Sequence, residues 1–196
     1  PVAHTNNAVT SLILDGKTHV VSFAGLKKGK TWNDTSKEAY MFTSESERWE
    51  RLTDMPVKEG RLAASAEAAG DKVYLFGGYT VAEDGSEVST PEVISFNPVD
   101  KSYKRVTDMP TPVDDMVTFV YQDRYIYLVS GWHNKGNVTL VQIYDTAQDH
   151  WMRGTDYPGT PVFGHASSAR AKASAKAFSA AATSRVRAVM RERRRP

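Results

Sequence analysis

The side chains best suited to chemistry in this chain are an adjacent carboxylate pair, Asp114 and Asp115, and one arginine, Arg61. A carboxylate and a basic partner converging on one pocket can do general acid–base work. In the same kind of connecting segment stand Trp32, Asp34, Tyr79, Trp132, His133 and His165. Aromatic faces can stack on a sugar ring, while carboxylates and an arginine can hydrogen-bond hydroxyls or an anionic group. The set suits a polar small molecule or a sugar. Each member also has a plainer use: Trp32 and Trp132 can pack their loops, and Asp114 and Asp115 can cap a turn. Arg61 can pair with Glu59 or another local acid, and His133 can be a solvated polar residue. His4, His19 and His150 lie in or beside strand-like runs and are assigned no role.

Other chemistries lack their residues. The five histidines show no metal-ligand spacing and there is no cysteine, so neither a metal site nor thiol catalysis is expected. No nucleophile elbow, P-loop or dinucleotide fingerprint is present. The basic run at 27–30 is too short to argue for phosphate and reads as a solvated loop. No cofactor is expected.

The elements that must position these residues recur. "THVVSFAGL", "DKVYLFGGY" and "RYIYLVSGW" place Gly25, Gly78 and Gly131 in one slot, each 53 residues from the last. Downstream, Trp49, Tyr103 and Trp151 correspond, as do Asp54, Asp108 and Asp156, and Pro56, Pro110 and Pro158. A period near 50 residues signals a propeller. The second repeat reads as four strands at about 62–69, 72–77, 92–97 and 103–107. Within it Val73 and Leu75 face one way, Tyr74 and Phe76 the other. The glycines are expected to permit close approach to neighbouring blades near the axis. The fourth-strand aromatic is expected to fill space between blades, and the "DMP" and "DYP" endings to stop the strand. No helical period appears in 1–160.

The diglycine after strand two, the fourth-strand aromatic and the "MP" before the next repeat resemble the kelch-repeat family, with bacterial galactose-oxidase-like propellers the nearest look. The first repeat departs with "FAGL" and the third with "VSGW". The resemblance implies an all-β, kelch-type β-propeller fragment. It would hold three four-stranded blades, about 1–56, 57–110 and 111–160, plus the start of a fourth in "TPVFGHA". It also implies that loops joining strands two and three share one face with loops joining strand four to the next blade. All the candidate residues above fall in those loops. The copper oxidase of that name uses a cross-linked cysteine, which this chain lacks, so oxidase activity is not expected.

Two functions follow from this reading. One is a binding module taking a protein or a glycan on the loop face; ligand contacts would come from Trp32, Asp34, Arg61, Tyr79, Asp114, Asp115, Trp132 and His133. The other is a sugar-processing enzyme such as a sialic-acid mutarotase, with Asp114, Asp115 and Arg61 as its catalytic groups. A non-functional fragment of either is a third reading.

Charge divides the chain. Residues 166–196 hold nine Lys/Arg and one acid, leaving 16 basic and 22 acidic residues in 1–165. The basic pI therefore describes the tail, and the body is not expected to bind nucleic acid. The Ala- and Arg-rich composition of 166–196 reads either as a basic, disordered or partly helical arm, or as out-of-frame sequence. Hydrophobic content of 40% and charged content of 24% are ordinary for a globular chain, with no run long enough to span a membrane. The first residue is proline, so the compartment is not legible. A partial ring would leave two apolar blade faces uncovered, and self-association is expected through them.

Overall fold

Alternating apolar residues in short runs, punctuated by turn residues, produce strands almost throughout the computed structural model, which describes residues 2–164. His165 and the basic tail at 166–196 lie outside the described residues. The strands in chain order are β1 (Ala8–Leu14), β2 (Lys17–Phe23), β3 (Ala39–Thr43), β4 (Arg48–Arg51), β5 (Ser65–Ala69), β6 (Lys72–Phe76), β7 (Tyr79–Val81), β8 (Glu87–Ser89), β9 (Val93–Asn97), β10 (Ser102–Val106), β11 (Val117–Tyr121), β12 (Tyr125–Val129), β13 (Trp132–His133), β14 (Gly136–Asn137), β15 (Val141–Asp145) and β16 (His150–Arg153). One 3-10 turn, Trp32–Asp34, interrupts them.

They form three antiparallel four-stranded sheets, β1-β2-β3-β4, β5-β6-β9-β10 and β11-β12-β15-β16, here blades 1 to 3. The innermost strands β1, β5 and β11 pack side by side. Two small hairpins, β7–β8 and β13–β14, project from the connection between the second and third strands of blades 2 and 3.

Blade 2 is covered on both sides, so β6 reads as an almost unbroken apolar run. Val73 and Leu75 join the core against blade 1 with Phe23, Met41 and Phe96. Tyr74 and Phe76 join the core against blade 3 with Ile126, Leu128 and Tyr144. The fourth-strand aromatic ties each blade to the one before it. The Tyr103 hydroxyl donates to the Thr53 carbonyl at 2.9 Å, and the Trp151 indole N–H donates to the Thr107 carbonyl at 2.9 Å. The corresponding Trp49 has no preceding blade among the described residues and is 43% exposed.

A backbone chain links the blades beside β1, β5 and β11. The N–H of Ala63 donates to Asn6 O (3.3 Å), that of Asp115 to Ala63 O (3.0 Å), and that of Gly164 to Asp115 O (3.0 Å). All four residues sit in the left-handed region, with φ of 57, 52, 50 and 61°. Gly164 thus continues the series into the opening of a fourth blade.

The recurrent glycine makes the close approach expected, the N–H of Gly25 donating to Arg61 O of blade 2 and that of Gly131 to Val162 O, each at 3.0 Å, and it meets a second crowding besides. A Cβ on Gly25, Gly78 or Gly131 would lie 2.8, 2.5 and 2.5 Å from the carbonyl oxygen of Thr5, Leu62 or Asp114, in the lead-in to the first strand of the same blade. The neighbouring blade also crowds Gly77, where a Cβ would meet Val113 O at 2.3 Å. The prolines also act later than expected. Strands β4, β10 and β16 end at Arg51, Val106 and Arg153, several residues before Pro56, Pro110 and Pro158. Between strand and proline lies a repeated ion pair: Arg51–Asp54 at 2.6 Å, Arg105–Asp108 at 2.7 Å, and Arg153–Asp156. The methionine before the proline anchors the exit in blades 1 and 2: Met55 and Met109 are buried, and their N–H groups donate to Lys37 O and Pro91 O.

Candidate functional site

Loops from blades 2 and 3 meet in a pocket of about 910 Å³. Two isolated bridges build its frame. Tyr79 pairs with Leu62 just after Gly78, and Trp132 pairs with Asp114 just after Gly131. The exchange at Asp114 is reciprocal: its N–H donates to Trp132 O at 3.0 Å and its O accepts from Trp132 N–H at 2.8 Å. The glycine turn therefore delivers an aromatic to the rim and presses it against the carboxylate-bearing lead-in. The β7–β8 hairpin adds Glu87, Val88 and Ser89 to the wall, and Phe163, past the end of blade 3, closes another side.

The floor is acidic. Asp114 is 3% exposed, and its Oδ2 accepts from the Ser89 hydroxyl at 2.6 Å. Burial drives its pKa up to about 6; the Ser89 bond opposes this, Asp115 and Glu87 reinforce it, and His133 opposes it. Burial also raises Asp115. Burial raises the Tyr79 phenol, and the charges of Glu87, Asp115 and Asp114 add to this. Trp132, 38% exposed, has its indole N–H fixed on Asn134 O at 3.1 Å. The ring is thereby held in one orientation with much of its surface free.

Of the residues singled out from sequence, Tyr79, Asp114, Asp115 and Trp132 line this pocket together. His133 stands beside it, its ring held between Pro112 O (2.6 Å) and the Asn134 side chain (2.6 Å). Trp32 and Asp34 are elsewhere, in the blade 1 loop. Asp34 accepts from the Thr31 N–H (2.9 Å) and hydroxyl (2.6 Å), which holds its pKa below the usual value and fixes the 3-10 turn. Trp32 is 40% exposed on that turn.

Arg61 does not reach the two aspartates. It is 1% exposed, donates to Gly77 O (3.2 Å) and Glu92 O (3.3 Å), and pairs with the Glu92 carboxylate rather than Glu59. Arg105 holds the other Glu92 oxygen at 2.9 Å. This is a structural slot: blade 1 fills it with His4 and Glu38, 3.6 Å apart, and blade 3 with the apolar Val113 and Leu140. Burial lowers the Arg61 pKa, and Glu92 opposes that.

Glu87 and Ser89 could have been found in the sequence. "YTVAEDGSEVS" carries an Asp-Gly turn between two alternating runs, a hairpin signal. Gly85 takes φ +82° at its tip. No group of three or more metal-binding side chains gathers among the described residues.

Four-stranded antiparallel sheets stacked face on face about a shared inner edge define a β-propeller. The repeated glycine turn and the fourth-strand aromatic make it a kelch-type propeller. No family model matches the chain. It is 25% identical over 138 residues to β-scruin of Limulus polyphemus, covering 69% of this chain and 15% of that protein. It is 28% identical over 93 residues to Kelch-like protein 15 of Gallus gallus, covering 47% and 19%. To the spermatocyte protein spe-26 of Caenorhabditis elegans it is 23% identical over 159 residues, covering 80% and 27%. The chain thus spans roughly a quarter or less of these relatives' lengths. The solved structure of YjhT superposes with a TM-score of 0.65 at 16% identity, over 84% of this chain and 54% of that one.

Proposed function

We propose that this chain is the recognition surface of a kelch-repeat binding module, and that it takes a protein partner in the pocket between the loops of blades 2 and 3. The observation that supports this most is the convergence of Tyr79, Trp132 and Phe163 around Asp114 and Asp115 on one rigidly framed face. Aromatic anchors beside buried polar groups are what hot spots of protein recognition use. Kelch-like protein 15, one of the relatives, carries the repeat in its name, and the chain's match to it is consistent with an interaction role. The enzyme reading, a sugar-processing propeller of the sialic-acid mutarotase kind, gains less support. Asp114 and Asp115 are brought together, but the arginine that would hold an anionic sugar is locked to Glu92.

A random 12-residue peptide library displayed on phage tests the reading. Clones selected on the wild-type chain are expected to lose binding to Trp132→Ala and to Tyr79→Ala. Clones that bind both variants undiminished would count against the pocket. A glycan array run in parallel that yields a ligand lost in Trp132→Ala would replace the protein partner with a sugar.

We also propose that isolated copies of the chain associate through their uncovered blade faces. The outer face of blade 1 shows Val9, Ile13 and Trp49, at 51, 72 and 43% exposure. Its Phe42–Trp49 pair occupies the slots that Phe96–Tyr103 and Tyr144–Trp151 fill between blades. A second copy offers a matching face in blade 3, where Phe119 stacks on Tyr127 at 4.9 Å.

A further inference from the structure

The pocket's charge narrows its occupant. Three carboxylates line it, Glu87, Asp114 and Asp115, against one lysine, Lys135. Several of the less exposed carboxylates elsewhere on the chain are closely paired: Glu38 with Lys27, Glu92 with Arg61 and Arg105, Asp145 with Arg124. None of the three pocket carboxylates has a cation within 4.0 Å among the described residues, and Lys135 is in no ion pair there either. Asp114 is the most buried of the three. It is 97% removed from solvent on the 3% exposure above, and while Ser89 serves Oδ2, no described residue donates to Oδ1. With Ser89 on Oδ2 and no described residue donating to Oδ1, the Asp114 carboxylate is half-served on the pocket floor, and a charged donor supplied from outside would complete its hydrogen bonding.

The walls fit the same guest. A cation is attracted to the face of Trp and Tyr rings as well as to carboxylates. Trp132 presents such a face, pinned by its bond to Asn134, with Tyr79 beside the aspartates. An anionic guest would meet three like charges, and a neutral polyol could hydrogen-bond the carboxylates but would leave their charge unbalanced. We infer that the pocket receives a cationic side chain, arginine or lysine, of the partner polypeptide, seated on Trp132 and held by Asp114 and Asp115 with Glu87 at the rim. This rests on the reading of the pocket as the recognition site and names what that site reads.

The test titrates the chain with acetylated, amidated Gly-Ser-X-Ser-Gly peptides in which X is arginine, lysine, citrulline or glutamate, following the tryptophan indole signals by NMR. The arginine or lysine peptide is expected to bind at least about tenfold more tightly than its neutral citrulline counterpart, with glutamate weakest. Asp115→Asn and the exposed Glu87→Gln are each expected to weaken the cationic peptides severalfold and leave citrulline unchanged. Asp114→Asn keeps the shape and can still accept from Ser89, so loss of the cation preference in that variant adds to the case. Equal binding of citrulline and arginine peptides, both abolished by Trp132→Ala, would overturn the cationic guest while leaving the pocket as the site. Binding of any of these peptides that ignores Trp132→Ala, or no binding by any of them, would overturn the inference; the library selection above then decides separately whether the pocket itself survives.

Discussion

Among single residues, the turn after each second strand rests on two consecutive backbone positions with different demands. Ala24, Gly77 and Ser130 sit at φ 62, 52 and 60°, and the glycines that follow at 102, 83 and 102°. The first set lies in the ordinary left-handed region, which a small residue can enter at a cost of roughly 1–2 kcal/mol. That is why "FAGL" and "VSGW" are tolerated departures. Serine at 130 adds something: its Oγ accepts the Val162 N–H at 3.0 Å and lies 2.8 Å from Val138 O. The second set combines a wider φ with a carbonyl in the path of any Cβ. Gly25→Ala is therefore expected to cost about 2 kcal/mol or more, while Ala24→Gly stays within about 1 kcal/mol of wild type, both read by urea unfolding.

Asp114 supplies a second test at this scale. Its pKa stands at about 6 in the folded chain, above the ordinary 3.8. The folded state thus holds the proton more tightly than the unfolded chain, so stability declines as pH rises from about 4 through about 6 and levels above that. Asp115, Glu87 and His133 face the same carboxyl, and Asp115 titrates with a rise of its own. The clean reading is therefore the difference between wild type and Asp114→Asn. The variant is expected to be more stable at pH 7, with the advantage vanishing toward pH 4. A constant difference across that range would mean that Asp114 is not held away from water.

At the scale of elements, stability comes from what crosses between blades. Tyr103→Phe removes one hydroxyl bond to Thr53 O and leaves the ring packed on Phe96 at 5.0 Å. It is expected to cost about 1 kcal/mol in thermal or denaturant unfolding. The strands themselves were largely legible in the sequence. The alternation in "KVYLFGG" places β6 and the facing of Val73 and Leu75 against Tyr74 and Phe76. Boundaries were less so: β5 begins at Ser65 rather than near 62, because Leu62 is taken up by its bridge to Tyr79. The β7–β8 hairpin reads as a plain loop if its Asp-Gly turn is overlooked, and with it Glu87 and Ser89 are missed. Arg61 shows the other limit. Its residue type suggested a ligand contact, but which acid lies opposite is set by β9, 31 residues away, a pairing no local pattern reveals. Tyr79, Asp114, Asp115 and Trp132 were legible because the repeat itself carries loops of one kind to one face.

Across the entire molecule, each blade carries large apolar side chains on both sides. The two cores lie between blades 1 and 2 and between blades 2 and 3, so the remaining two faces have no cover among the described residues. Neighbour interfaces are the main source of stability in such stacked repeats. Sedimentation velocity on the chain is expected to show concentration-dependent association, reduced by Ile13→Lys together with Trp49→Glu on the outer face of blade 1. A monomer at all concentrations with sharp thermal unfolding would show that those faces need no cover.

The four tryptophans report separate surfaces: Trp32 on the blade 1 loop, Trp49 on the outer face of blade 1, Trp151 between blades 2 and 3, and Trp132 in the pocket. Their indole N–H signals, followed during titration with the tightest peptide from the random library, give the most direct test of the proposed recognition site. A saturable shift of Trp132 with the other three at rest is the predicted result. Movement of Trp32 or Trp49 while Trp132 stays still would contradict it.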